Sequence, residues 1–396
     1  CPLGESERSD AMHGVAPSQF PNPGGSYVTV YDELGLPRVI NAAATLTRLG
    51  GSRMPPPVVA AMVEAAESFV DLDRLQDRVG ARIAELTGNE ACYVSSGAAA
   101  GIVVAVAACI AGTDPARTFA FPALEGIERT EVVIHRSQRN GYDYAAQQTG
   151  ARLVEVGATA EEVVNAIGER TAAVLWFAGA HYAKDALPLE DVVRIAHERG
   201  VPVLVDAAAQ IPPIANLWHF TRELGVDAAI FSGGKGLRGP QSSGLVLGTK
   251  EIVAGCRANG NPNHSLGRPM KVGKEELAGI LAAVEWSLAQ DEPAVLASYE
   301  AIVQGWIDGV AGIPGVTAER GYPSEAGQPY GRAIVHIGPP CRLNRDEVVA
   351  ALRDANPSIA VGTHGLSDDA IALNPQTLEP GEDELVLSEL RRVLTG

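Results

Sequence analysis

VPVLVDAAAQIPPIANLWHFTRELGVDAAIFSGGKG, residues 201–236, holds two apolar runs that read as strands. The first, VPVLVD, ends at Asp206, and the second, DAAIFS, runs directly into Gly233, Gly234, Lys235 and Gly236. Between them WHFTRELG is long enough for a short helix closed by Gly225. Strand, helix, strand in that order is the unit of a parallel sheet. It sets Asp206 and Lys235 at the carboxyl ends of strands, where open α/β sheets bind ligands. A lysine needs no glycines to carry its flexible stem to water. Three of them around one lysine suggest a backbone that turns sharply and admits a ligand closely. In a dry pocket such an amine loses its proton and attacks carbonyls. The spacing alone also suits an N-capping Asp and a surface Lys.

Outward from this unit, strand and helix signals alternate from about residue 38. Strand-like runs stand at 91–96, 131–135, 152–156, 172–179, 202–208, 227–232 and 244–248. VVAAMVEAAESFV follows three prolines, as a helix start does, and Leu75, Val79, Ile83 and Leu86 then share one face before Gly88. AAAGIVVAVAACIAG is apolar all round, the mark of a buried helix. The expected fold is α/β, with a mostly parallel sheet covered on both faces. After GRPMKVGKEE the texture changes to mixed short segments and a last helix near 382–394. The expected division is a flexible arm over 1–37, a large domain over 38–266 and a smaller α+β domain over 267–396.

Composition narrows the function. Acidic residues outnumber basic ones 48 to 31 in a chain of 396, a formal charge of −17 with no basic run, which argues against a nucleic-acid partner. The cysteines, Cys1, Cys92, Cys109, Cys256 and Cys341, are odd in number and form no CxxC pair. That pattern fits a reducing cytoplasm and no zinc or disulfide framework. The longest apolar run, around 98–111, is too short for a membrane span.

SSGAAAG, residues 95–101, joins a strand to the buried helix, so N–H groups around Ser96, Gly97 and Ala98 face outward at a helix N-terminus. Such a terminus suits a phosphate; a capped buried helix is the plainer alternative. A phosphate site, a strand-end Asp and a Gly-flanked Lys are together the parts needed to hold pyridoxal phosphate.

INAAATLTRLGG (40–51), SSGAAAG, VDAAAQIPP (205–213), FSGGKGLRGPQSSG (231–244), GRPMKVGKEE (267–276) and LNPQTLEPGEDE (373–384) resemble, in that order, a known family. It is the selenocysteine-synthase branch of the fold-type-I pyridoxal-phosphate enzymes, which includes L-seryl-tRNA(Sec) selenium transferase and D-glucosaminate-6-phosphate ammonia-lyase. The resemblance implies that Lys235 carries the internal aldimine and Asp206 pairs with the pyridine nitrogen. It implies that Ser96, Gly97, Ala98 and Ser232 hold the phosphate, and that His135 or Arg136 lies against the ring. Arg238 and Arg268 are candidates for a substrate carboxylate, and His181 or His264 for proton relay. Gln210 and Thr45 are further candidates for contact, whereas His197 and His219 fall on helices as surface residues.

Selenocysteine synthase carries an added tRNA-reading domain, while about 37 residues precede the likeness here, so the expected substrate is a small amino acid and not tRNA. The implied reaction runs through an external aldimine and a quinonoid to elimination of a β-substituent from a β-hydroxy amino acid, sugar- or nucleoside-derived, with loss of ammonia. Alternatives are an oxygen-using decarboxylation of a glycyl-nucleoside to a carboxamide, as in antibiotic biosynthesis, and a non-catalytic protein that binds a phosphorylated ligand. A homodimer or larger homo-oligomer is expected, without a membrane.

Overall fold

The computed structural model describes residues 29–396. The arm expected over 1–37 thus lies mostly outside the described residues; its last part holds a single helical turn, Val30–Glu33, capped by Thr29. Twelve strands follow in chain order: β1 (Val39–Ala42), β2 (Ala91–Ser95), β3 (Glu131–His135), β4 (Arg152–Val156), β5 (Thr171–Phe177), β6 (Val203–Asp206), β7 (Ala228–Ser232), β8 (Gly244–Gly248), β9 (Val316–Gly321), β10 (Arg332–Ile337), β11 (Ser358–Val361) and β12 (Ala370–Leu373).

Seven of them form one sheet in the order β2-β8-β7-β6-β5-β3-β4. Neighbours from β7 to β4 pair parallel, and β8 alone runs antiparallel, between β2 and β7. These strands read as continuous apolar runs because both faces are covered, as parallel sheets require. On one face the all-apolar helix Ala98–Ala111 packs with Leu204, Ile230 and Val246. On the other, helices Leu72–Thr87, Leu189–His197 and Lys274–Leu288 pack with Val133, Val205 and Phe231. Helix Leu72–Thr87 is capped by Asp71, which accepts from Arg74 N at 3.0 Å, and buries Val79 and Ile83 as their spacing requires.

The segment expected as one short helix after β6 is instead an α turn, Asn216–Trp218, continued by a π turn, His219–Glu223.

A second core gathers the antiparallel sheet β12-β10-β9, the pair β1-β11 and the helices Glu292–Val310, Arg345–Arg353 and Glu382–Thr395. Strand β1 belongs here: it pairs parallel with β11, and Ile40 and Ala42 sit beside Trp306 and Leu373. The division expected at 266/267 does not coincide with a change of core. Leu277, Ile280 and Val284, past that point, lie under the large sheet, whereas β1, before it, lies in the small core. Amphipathic spacing tells that a helix is half-buried and not which layer buries it. Among the described residues no helix is long and apolar enough to cross a membrane.

Candidate active site

The register of the sheet brings the sequence motifs to one edge. Ser95 pairs with Gly244, and Gly244 with Ser232, because β8 starts where β2 and β7 end. Asp206 pairs with Phe177 on one side and Ile230 on the other. Side chains alternate between faces along a strand. Asp206 shares its face with Leu204, and Ser232 with Ile230, so both look toward the helix Ala98–Ala111.

That helix begins bare. Gly97, its N-cap, has φ +122° and supplies no side-chain cap, and Ser95 Oγ donates to Gly97 O at 2.9 Å and not to a helix N–H. Three half-buried residues, Ser96, Gly97 and Ala98, therefore present N–H donors without a partner among the described residues, at the positive end of a helix of 14 residues. Ser232, also half-buried, finds no partner for its hydroxyl among the described residues.

Asp206 is 8% exposed, and its Oδ1 accepts from Ala208 N at 2.9 Å. Burial raises its pKa, against the pull of the Ala208 N–H and the positive charge of Lys235. Lys235 shows the mirror image: burial lowers its pKa, and the Asp206 carboxylate partly restores it. Lys235 Nζ finds no hydrogen-bond partner among the described residues. Its backbone is fixed, with Lys235 O accepting from Ser52 Oγ at 2.7 Å and from Arg238 N at 2.9 Å.

None of the three surrounding glycines has positive φ. They are demanded by close packing: a Cβ at Gly233 would strike Ser243 Oγ, one at Gly234 would strike the backbone of Gln241, and one at Gly236 would strike Ile211 O. The left-handed residue of this loop is Arg238, at φ +54°.

The remaining expected residues divide. His135 is fully buried at the end of β3, but it shares its face with Val133, which places it on the side opposite Asp206 and beside Glu162. Arg136 is turned outward toward Glu155, at 3.7 Å. Neither residue expected at the ring is aimed at the Asp206 face. Arg238 is engaged: it pairs with Glu379, donates to Arg53 O at 2.8 Å, and lies 5.5 Å over Trp286. Arg268 and His264 lie on the loop after helix Lys250–Asn259, Arg268 half-buried and His264 exposed, and neither side chain has a partner among the described residues. His181 stands after β5, its ring 3.9 Å from that of Tyr182, with its pKa lowered by burial and then by His364. Gln210 bridges to the small core through Ala326 O, at 2.9 Å. Thr45 is half-buried in the turn that Asn41 braces through Ala43 N and Ala44 O. His197 and His219 pair with Asp227 and Glu223 on the surface.

Two residues enter that the sequence did not single out. Tyr182, 5.7 Å from the Phe177 ring, has its pKa raised by burial, then by Tyr142 and Asp206, so it stands near the carboxylate. Gln138 is fully buried and brackets the end of β5, donating to Phe177 O at 3.3 Å and accepting from Phe177 N at 3.0 Å. AGAHY after an apolar run was the available signal for Tyr182; for Gln138 there was none.

The cluster fits pyridoxal phosphate. An amine without a partner, a buried carboxylate with one oxygen spent on the backbone and a bare helix N-terminus stand on one sheet edge.

The profile of the family described as "SelA: L-seryl-tRNA selenium transferase" matches residues 39–296. The chain belongs to the SelA family. It is 34% identical to a D-glucosaminate-6-phosphate ammonia lyase of Salmonella typhimurium, over 92% of this chain and 97% of that one. It is also 34% identical to a 5'-C-glycyluridine monooxygenase-decarboxylase of a Streptomyces species, over 93% of each. An L-seryl-tRNA(Sec) selenium transferase of Moorella thermoacetica is 28% identical over 92% of this chain and 84% of its own. Among solved structures, D-glucosaminate-6-phosphate ammonia-lyase superposes with a TM-score of 0.80 at 32% identity, covering 93% of this chain and 98% of that one. A serine palmitoyltransferase from S. paucimobilis shares the fold alone, at 16% identity and TM-score 0.58. The chain is an enzyme of this family, and pyridoxal phosphate is the cofactor that the membership implies.

His135 yields a stability prediction. Both of its ring nitrogens lack a partner among the described residues, and burial pushes its pKa from 6.5 to about 4, with Glu162 opposing. Between those values the unfolded chain binds the extra proton, so this contribution to stability is present at pH 7 and is lost as pH falls from 6.5 toward 4. From pH 7 to pH 5 the loss comes to about 2 kcal/mol. Urea denaturation at the two pH values should show His135→Leu losing less than the parent. Equal losses would mean that His135 is not buried as a neutral ring.

Proposed function

We propose that this chain binds pyridoxal phosphate on the carboxyl edge of the large sheet and acts on the amine of a small amino acid. The reading assigns Lys235 as the covalent anchor, Asp206 as the partner of the pyridine nitrogen, and Ser96, Gly97, Ala98 and Ser232 as the phosphate cradle. The observation that carries it is the unpartnered Lys235 amine, its proton affinity lowered by burial, within the electrostatic reach of Asp206.

When bound, the cofactor supplies an electron sink that stabilises negative charge at the substrate α-carbon. The rest falls to the chain. Asp206, held by Ala208 N–H, keeps a negative charge where a protonated pyridine nitrogen would sit. Lys235 Nζ, made a readier base by burial, takes the α-proton and returns it. Arg268, His181 and His264 remain the candidates for the substrate itself. Arg238 is assigned instead to holding the loop through Glu379.

The substrate we favour is a β-hydroxy amino acid, sugar- or nucleoside-derived. Its β-hydroxyl leaves as water, and one water returns as ammonia departs, leaving a keto acid. The Salmonella lyase supports this outcome. The Streptomyces relative, equal in identity, supports a second one. There an amino acid and O2 give a carboxamide, CO2 and water. We further propose work in the cytoplasm as a homo-oligomer; the unpaired cysteines Cys92, Cys109, Cys256 and Cys341 support a reducing compartment.

The test begins with added pyridoxal phosphate, which should give a visible band that borohydride fixes onto the peptide carrying Lys235. β-Hydroxy amino acids are then supplied with and without oxygen. Ammonia release without oxygen uptake upholds the lyase, and CO2 with matching oxygen consumption upholds the alternative. No band and no turnover would leave a non-catalytic binding protein. The rate of borohydride trapping should also rise with pH through a value below the ~10.4 of free lysine, since burial lowers the Lys235 pKa. An inflection at or above that value would contradict a dry amine.

A further inference from the structure

Residues 374–381, the heart of the motif LNPQTLEPGEDE, join β12 to the last helix and hold none of the groups assigned above to cofactor or substrate. Their polar side chains are engaged with other segments. Asn374 Nδ2 donates to Glu325 at 3.0 Å, Thr377 Oγ1 to Asn41 O at 2.6 Å, and Gln376 Nε2 to Ile211 O at 3.1 Å, while Glu379 pairs with Arg238.

Two of these contacts bear on Lys235. Arg238 N donates to Lys235 O at 2.9 Å, so Glu379 steadies the lysine loop from its far end. Ile211 O lies 2.1 Å from where a Cβ at Gly236 would stand. The carbonyl that Gln376 holds is therefore the surface on which the residue after Lys235 rests.

Ile211 belongs to the segment that follows Asp206, and the small core grips that segment along its length. Gln210 Nε2 donates to Ala326 O at 2.9 Å, and Ile214 N donates to Glu292 Oε1 at 2.6 Å. Gln328 Nε2 reaches Ile211 O at 3.5 Å, beside Gln376.

Gln376 is itself aimed. It is 8% exposed, and the fully buried Tyr330 donates from Oη to its Oε1 at 2.9 Å, which turns Nε2 toward Ile211. Gln376 N donates to Asn374 Oδ1 at 2.9 Å, and the Tyr330 ring stands edge-on to Tyr299 at 5.1 Å. A buried polar network of this kind is rigid and selects one geometry.

We propose that Gln376 is a positioning residue for Lys235, fixing through Ile211 the separation between the lysine loop and the strand end that carries Asp206. The proposal rests on the function proposed above and adds that the small core aligns the amine. Without this hold the seat of Gly236 loosens and water reaches Nζ.

The experiment uses two variants. Gln376→Met keeps a long flexible side chain and removes the donor; Tyr330→Phe keeps the ring and removes the hydroxyl that aims Gln376. Ser358→Ala is the control, cutting a buried hydrogen bond to Arg353 O, 2.7 Å long, elsewhere in the small core. The rate at which added pyridoxal phosphate gives the visible band is followed against pH, together with the urea midpoint. Condensation needs the neutral amine, so the inflection reports the surroundings of Nζ. In both variants it should move up toward the ~10.4 of free lysine, slowing the band about fivefold or more at about pH 7.5. Ser358→Ala should lower the urea midpoint and keep the parental inflection. If Gln376→Met does not fold, Tyr330→Phe decides alone. Variants that lose stability and keep the parental inflection would overturn the positioning role. So would an equal shift in Ser358→Ala. A parent that gives no band would overturn the function reading itself, and the proposal with it.

Discussion

Lys235→Ala is expected to fold, to bind pyridoxal phosphate without forming a borohydride-fixed adduct, and to lose turnover by about a thousandfold or more. The fold should survive because Nζ makes no hydrogen bond among the described residues. The loop is held by its backbone, through Ser52 Oγ, Arg238 N and the tight seats of Gly233, Gly234 and Gly236. Removing the amine deletes a charge that burial already disfavours, so thermal stability should hold or rise slightly. Activity has no such reserve, since the same nitrogen is assigned both the anchor and the proton transfer. Turnover at the parental rate, with label still fixed at the same peptide, would remove position 235 from the mechanism.

Gly51→Ala should be nearly as severe, from a distance. Gly51 has φ +74°, and a Cβ there would run into Gly234 O. Strain and overlap together should cost about 3–5 kcal/mol. The damage should reach the site, because the next residue ties the two loops: Ser52 N donates to Gly234 O at 2.9 Å and Ser52 Oγ to Lys235 O at 2.7 Å. Gly35→Ala is the control, with φ +66° and open space around it, and should cost only about 1–2 kcal/mol. Urea midpoints and cofactor retention read both effects. A Gly51 variant no worse than the Gly35 variant would show that the two loops do not press on each other.

The large sheet was legible because its strands are apolar on both faces and stand between helices with clear starts and stops. Asp206 and Lys235 were legible because each follows directly on such a strand. Direction was not: GLVLG reads the same whether β8 runs with or against its neighbours. Nor was face, which decides His135, since alternation can be counted but not oriented until a partner layer is known. Long-range pairing was out of reach. Arg238 looks like a free cation in the sequence, and its partner Glu379 lies 141 residues on. The glycines around Lys235 suggest, in sequence, a sharp turn open to a ligand, whereas the structure uses them as spacers against Ser243, Gln241 and Ile211, a distinction carried by residues distant in the chain.

The pairing of β1 with β11 sets an order on the birth of the protein. Strand β1 is made before the strands of the large sheet, but its companion, from Ser358, is made only after them. Until that stretch emerges, the turn that leads to Ser52 is tethered at one end only, and the lysine loop lacks its finished brace. Competence to capture the vitamin should therefore arrive only once Ser358–Val361 has emerged, well after the large sheet has its strands.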